Sequence, residues 1–163
     1  MVQLGFFEDE AVELLEGTVV HMSPHGPARD STIQRLVRIL MAAAGTRGDV
    51  RIQSAFAASD GSQPEPDAAV VDAGDYDDAH PSTAWLIVEV SETSLQRDRV
   101  VKSEIYARSG VPEYWIVNLV DRTIEVATDP TAGRYGSMKT ARRGERFYSE
   151  ALGCDVEVDA IVR

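Results

Sequence analysis

The chain has 163 residues, enough for one domain around one core, and its 44% apolar and 26% charged residues are the balance of an ordinary soluble globular fold. A formal net charge of −11 argues against broad binding to a polyanion, which depends on Lys and Arg neutralising phosphates; a local basic groove stays open if RGDVR (47–51), RDRVVK (97–102) and ARRGER (141–146) converge. The single Cys154 cannot form an internal disulfide, three histidines are too few for a thiolate–imidazole zinc site, no apolar run approaches the ~18 residues that span a bilayer, and the acidic start does not read as a signal peptide, so the cytoplasm is the expected location.

Taken in chain order, Phe6 to Leu15 carries mixed helical signals that stop at Gly17. TVVHM then predicts a short strand and SPHGP a loop. Ile33, Leu36, Val37 and Leu40 fall on one helical face, and Gly45 closes that helix. DVRIQSAFAAS (49–59) alternates as a strand does, and GSQPEP is a turn. DAAVV (67–71) and AWLIVEV (84–90) are apolar, β-branched runs of the kind covered on both faces, separated by an acidic loop. A helix from Leu95 to Ser109 is stopped by Gly110 and Pro112, and EYWIVNL (113–119) is another buried strand. RTIEVAT (122–128), a hairpin around GRYGSMKT and a short strand near CDVEV complete the chain. Alternation in the middle and hairpins at the end predict an α/β fold with a mixed central sheet flanked by helices.

Two carboxylates stand out within this pattern. Asp67 opens one apolar strand after Pro66, and Glu89 sits inside another, in IVEVS. A charge embedded in an apolar strand is costly unless it is paired or holds a metal. Neighbouring strands could bring the two together around a hard cation such as Mg²⁺, which prefers oxygen ligands. Asp98, Lys102 and Tyr106 are spaced by four and line one helix face, which sets Lys102 at the edge of the buried side. From the residues alone, three alternatives stand beside this one: Asp67 as a turn residue, Glu89 paired with an interior arginine, and Lys102 paired with Asp98 on the helix surface.

PEPDAAVVD followed by WLIVEVSETSLQRDRVVKSEIYARSGVPEYWIVNL resembles the Uma-type restriction endonuclease family of the PD-(D/E)XK nuclease superfamily, and ELLEGTVVHMSP looks like that family's opening hairpin. The resemblance covers most of the chain as one nuclease-like domain over 1–163, and is weakest beyond Asp121. It implies a restriction-endonuclease-like fold and a Mg²⁺- or Mn²⁺-dependent hydrolysis of DNA phosphodiesters. It further implies that Asp67, Glu89 and the backbone carbonyl of Val90 bind the metal, that Lys102 assists the attacking water, and that Glu13 joins the catalytic set. The chain departs from the pattern in three places. Ser91 stands where the standard motif has its lysine, Asp30 or Arg29 near a frequent histidine, and Glu92 where a proline often follows.

Other motifs are missing. The aspartates of 72–78 fail the spacing of a calcium-binding EF-hand loop, and there is no phosphate-binding glycine loop and no serine-hydrolase elbow. Trp85, Trp115 and Tyr114 sit in apolar strands and read as core. The rival expectation is a catalytically silent member of the fold, serving as an acidic protein-interaction module or a structural homodimer in which Asp67, Glu89 and Lys102 form an internal ion network. A homodimer is compatible with either reading.

Overall fold

The computed structural model describes residues 11–22, 26–58 and 61–163. Ten strands and five helical segments are described, here numbered along the chain. The opening hairpin is β1 (Val12–Leu15) and β2 (Thr18–His21). Helix α1 (Pro27–Ala44) leads to β3 (Gly48–Ile52), β4 (Ala68–Asp72) and β5 (Leu86–Ser91). A helical crossover then joins β5 to β6 (Glu113–Asn118); it consists of α2 (Leu95–Arg97), a π-helical stretch π1 (Asp98–Lys102) and α3 (Ser103–Arg108). The chain continues through β7 (Thr123–Thr131), β8 (Arg134–Arg142), β9 (Arg146–Ser149), β10 (Cys154–Glu157) and α4 (Val158–Ile161).

Strands β3 to β8 form one six-stranded sheet in sequence order. β5 and β6 run parallel and every other neighbouring pair runs antiparallel, which makes the sheet mixed. All six residues of β5 and of β6 are buried, because helices or hairpins cover both faces of these central strands. Alternate residues part to opposite sides. Leu86, Val88, Val90, Trp115 and Val117 pack with Leu36 and Leu40 of α1 and with Ile161 of α4. Ile87, Tyr114 and Ile116 pack with Ile105 and Tyr106 of α3 and with Leu15 of β1. Full burial of each large apolar side chain contributes about 1.5–3 kcal/mol.

Local sequence accounts for the element ends. Pro27 opens α1, where its missing N–H is not needed, and Gly45 closes it at φ 59°, donating its N–H to Met41 O.

Several expectations are corrected. The segment ending at Leu15 is a strand rather than a helix from Val12 onward; its earlier part, 6–10, and the Ser23–His25 part of the SPHGP loop lie outside the described residues. Residues 12–15 alternate in burial and pair with β2, so sheet pairing overrides the helical signals there. The strand expected over 49–59 ends at Ile52, after which Gln53 takes φ 45° and the chain leaves the sheet. The helix expected from Leu95 to Ser109 is present but is interrupted by π1. β9 and α4 have no counterpart in the sequence reading; four residues apiece is too short for periodicity to register.

Candidate active site

Three elements deliver the site. β5 projects Glu89 to the α3 side, since Glu89 shares its parity with Ile87. π1 turns Asp98 and Lys102 inward, and both are buried. β1 supplies Glu13, whose position is fixed by the bridge between Leu14 and Gln63, with Leu14 N–H donating to Gln63 O at 3.3 Å and Gln63 N–H to Leu14 O at 2.8 Å. π-helical turns often occur at functional positions.

Lys102 Nζ lies 2.9 Å from Glu89 Oε1 and 2.8 Å from Glu13 Oε2. Tyr106 donates its hydroxyl to the same Glu89 oxygen at 2.7 Å. Lys102 thus reaches back to the strand end, although it sits about 10 Å along a helix begun at Leu95. Asp98 accepts from Ser94 Oγ at 2.6 Å. Asp67 is held separately: Arg29 Nη2 donates to its two oxygens at 2.8 and 3.0 Å, and Val90 N–H donates to Oδ2 at 2.7 Å. This last bond ties Asp67 to the residue next to Glu89.

The structure therefore joins Glu13, Glu89 and Lys102 directly and connects Asp67 to them through the Val90 backbone. The surface pair of Lys102 with Asp98 is not formed; the lysine is turned onto Glu13 and Glu89. Glu89 meets a lysine and a tyrosine rather than an interior arginine, and Asp67 is an ion-paired residue as well as the one that precedes β4. In the sequence, Arg29 stands out only as a departure from the family pattern at the helix start. Its signal was a lone cation in the first turn of α1, which by itself gives no partner.

Burial sets the electrostatics. Asp67, Glu89 and Lys102 are 1%, 2% and 4% exposed. Burial pushes the Glu89 carboxyl up to about 8, with Lys102 opposing and with Asp98, Asp67 and Glu13 adding to the rise. Burial alone would lower the Lys102 ammonium, but Glu89, Glu13 and Asp98 together raise it above its ordinary range. Burial also raises Asp98, against Lys102 and the hydroxyl of Ser94. Four buried carboxylates, Glu13, Asp67, Glu89 and Asp98, face three cations, Arg29, Arg97 and Lys102. Burial drives the rise of Glu89 and the surrounding carboxylates drive that of Lys102, so the lysine stays an ammonium.

A pocket opens over these groups, walled by Glu13, Arg29, Glu89, Val90, Arg97 and Lys102 among others. Asp67 is not in its wall; Arg29, which is, covers the carboxylate. The Nε–H groups of Arg29 and Arg97 are buried without a hydrogen-bond partner among the described residues.

The family described as "Uma2: Putative restriction endonuclease" matches residues 2–160. The chain belongs to this family. No curated protein matches the chain. A solved structure described as a "putative nuclease belonging to DUF820 from Anabaena variabilis" superimposes with a TM-score of 0.72 at 10% identity, covering 94% of this chain and 90% of that one. At that identity the likeness shows the fold alone: this Uma2-family chain shares the architecture of that structure.

The donors of the Uma2-family chain fit a hard divalent cation in kind. The groups are oxygen donors, and their charge excess is what a dication would discharge. In the described residues no three acidic, imidazole or thiolate groups are already gathered as a cage. Asp67 is instead taken up by Arg29, so its oxygens reach a cation only when the guanidinium yields.

Proposed function

We propose that this Uma2-family chain is a divalent-metal-dependent endonuclease, a single nuclease-like domain of the cytoplasm that hydrolyses phosphodiester bonds in DNA with Mg²⁺ or Mn²⁺. The buried carboxylate excess at the end of β5 carries the reading. Restriction-endonuclease-like families generally use divalent metal ions, which supports it. Asp67, Glu89 and the Val90 carbonyl would hold the cation. When bound, it would supply positive charge against the phosphate and make a nearby water more acidic.

The protein's own groups have definable parts. Lys102 is an ammonium, a donor with no lone pair to accept a proton, so it orients the attacking water and offsets developing negative charge rather than acting as a base. Glu13 and Glu89 fix that ammonium from two sides, and Tyr106 steadies Glu89. Arg29 and Arg97 line the pocket, and guanidiniums there are suited to a phosphate oxygen.

The test compares DNA cleavage by the wild type and by Asp67→Ala, in Mn²⁺ and in EDTA. Cleavage confined to the wild type in metal is expected. Cleavage in EDTA, or unchanged by the substitution, refutes the assignment.

A second reading is favoured by one observation, the closed Glu13–Lys102–Glu89 network beside an Asp67 already paired with Arg29. In this reading the protein is a catalytically silent interaction module or homodimer, and the network serves stability alone. Then Asp67→Asn and Glu89→Gln change thermal stability, and calorimetry with millimolar Mn²⁺ gives no heat of binding.

A further inference from the structure

Two of the three basic runs in the sequence meet in the folded chain. Arg99 of π1, Arg122 before β7, and Arg142 and Arg143 at the end of β8 line one groove, together with Asp121 and Glu125. Four guanidiniums and two carboxylates line it, with Glu145 and Asp159 beside its arginines, so what the groove offers is local: cations left unmatched on a chain whose net charge is −11. Part of the positive charge is already matched. Arg99 is paired with Glu125, and Arg143 Nε with Asp159 at 3.2 Å. Arg142 uses its backbone N–H for Glu145, and Asp121 accepts from Asn118 at 2.9 Å. Arg122 and Arg142 are exposed and make no side-chain ion pair among the described residues.

The register of the sheet relates this groove to the candidate active site. Ser91 pairs with Asn118, Asn118 with Thr123, and Thr123 with Arg142. Residues directly opposite on paired strands share a face, so the four form one row on the face that carries Glu89. The row starts two residues beyond Glu89 and ends at Arg142. Three inter-strand spacings of about 4.8 Å put its ends roughly 14 Å apart. A duplex strand advances about 3.4 Å per phosphate along the axis, so the row spans about four phosphates. π1 binds the two places together, with Lys102 in the site and Arg99 in the groove.

We propose that this groove seats the phosphate backbone of duplex DNA, with Arg122 and Arg142 as its free cations and the strand leading on to the pocket at the end of β5. The choice of DNA as the polyanion rests on the nuclease reading; the charge and the register do not. Acidity elsewhere on the surface then restricts binding to this track, since repulsion disfavours any other pose.

The experiment measures binding of a fluorescein-labelled duplex oligonucleotide by anisotropy, in EDTA, across a series of KCl concentrations. The full-length wild type is compared with Arg122→Glu/Arg142→Glu and with Arg38→Glu/Arg134→Glu, which makes the same change in net charge at exposed arginines elsewhere. Arg122→Gln/Arg142→Gln repeats the comparison without introduced carboxylates, should the reversal disturb folding. The groove pairs are expected to weaken binding about ten-fold or more and to flatten the logarithmic salt slope by about two, while the control pair stays within about two-fold. Equal loss in the control pair, no loss in the groove pairs, or no binding by the wild type overturns the proposal. Cleavage in Mn²⁺ is read separately. Arginine-dependent binding without any cleavage keeps the groove and removes the nuclease reading; cleavage with unaffected binding removes the groove alone.

Discussion

Arg29 donates to both carboxylate oxygens of Asp67 from a single nitrogen, at 2.8 and 3.0 Å, where a metal-dependent site would present that carboxylate to its cation. The guanidinium and the cation would compete for the same oxygens.

Arg29→Gln should therefore respond to metal more than the wild type does. Removing one partner of a buried pair costs about 3 kcal/mol in the metal-free protein, because Asp67 keeps only the Val90 N–H. Titrating Mn²⁺ in thermal melts should raise the melting temperature further in the variant than in the wild type. Equal increments in the two proteins would show that Arg29 and the metal do not share Asp67.

Lys102→Met leaves Glu13 and Glu89 facing each other without their ammonium. The expected destabilisation is about 3–5 kcal/mol in urea melts. Protein that stays folded, at low temperature or with Mn²⁺, should lose about 10²–10³-fold in cleavage rate. Lys102→Arg keeps the charge and should recover stability more than rate; full recovery of both would mean that charge alone matters.

The pH dependence follows from Glu89. Its folded value of about 8 lies above the ordinary carboxylate range, so the protonated form is the one the fold favours. Its contribution to stability is complete at acidic pH and is lost as pH rises toward and through about 8. The raised Lys102 also contributes below its ordinary range and stays constant across this window. Melting temperatures of the metal-free wild type should fall between about pH 5 and pH 8 by more than those of Glu89→Gln, which cannot ionise. Parallel curves for the two proteins would place the proton elsewhere.

Gly48 opens β3 where a side chain has no room. A Cβ there would lie 2.9 Å from the Trp85 ring and 2.9 Å from the Val71 carbonyl oxygen. The carbonyl belongs to the backbone of β4 and cannot swing aside. Gly48→Ala should cost about 1–3 kcal/mol in urea melts, and unchanged stability would mean that β3 is free to shift at the sheet edge.

Composition and local pattern were enough for much of this molecule. The apolar runs at 67–71, 84–90 and 113–119 read as strands covered on both faces, where an acid is costly unless it is paired or binds a metal. That reasoning isolated Asp67 and Glu89, and the spacing of Asp98, Lys102 and Tyr106 placed the lysine on the buried face. The resemblance to the Uma-type family added Glu13 and the opening hairpin.

Periodicity carries information about which face a residue takes, and none about which distant residue it meets there. Tertiary structure decided that Lys102 lies between Glu13 and Glu89, because β1 is pinned beside Gln63 and π1 turns inward. It decided that Asp67 is answered by Arg29, 38 residues away, and that Arg99, Arg122, Arg142 and Arg143 share a groove. Pairings of this kind are set by strand register and by the cost of leaving a buried charge alone, and both act only once the chain has closed on itself.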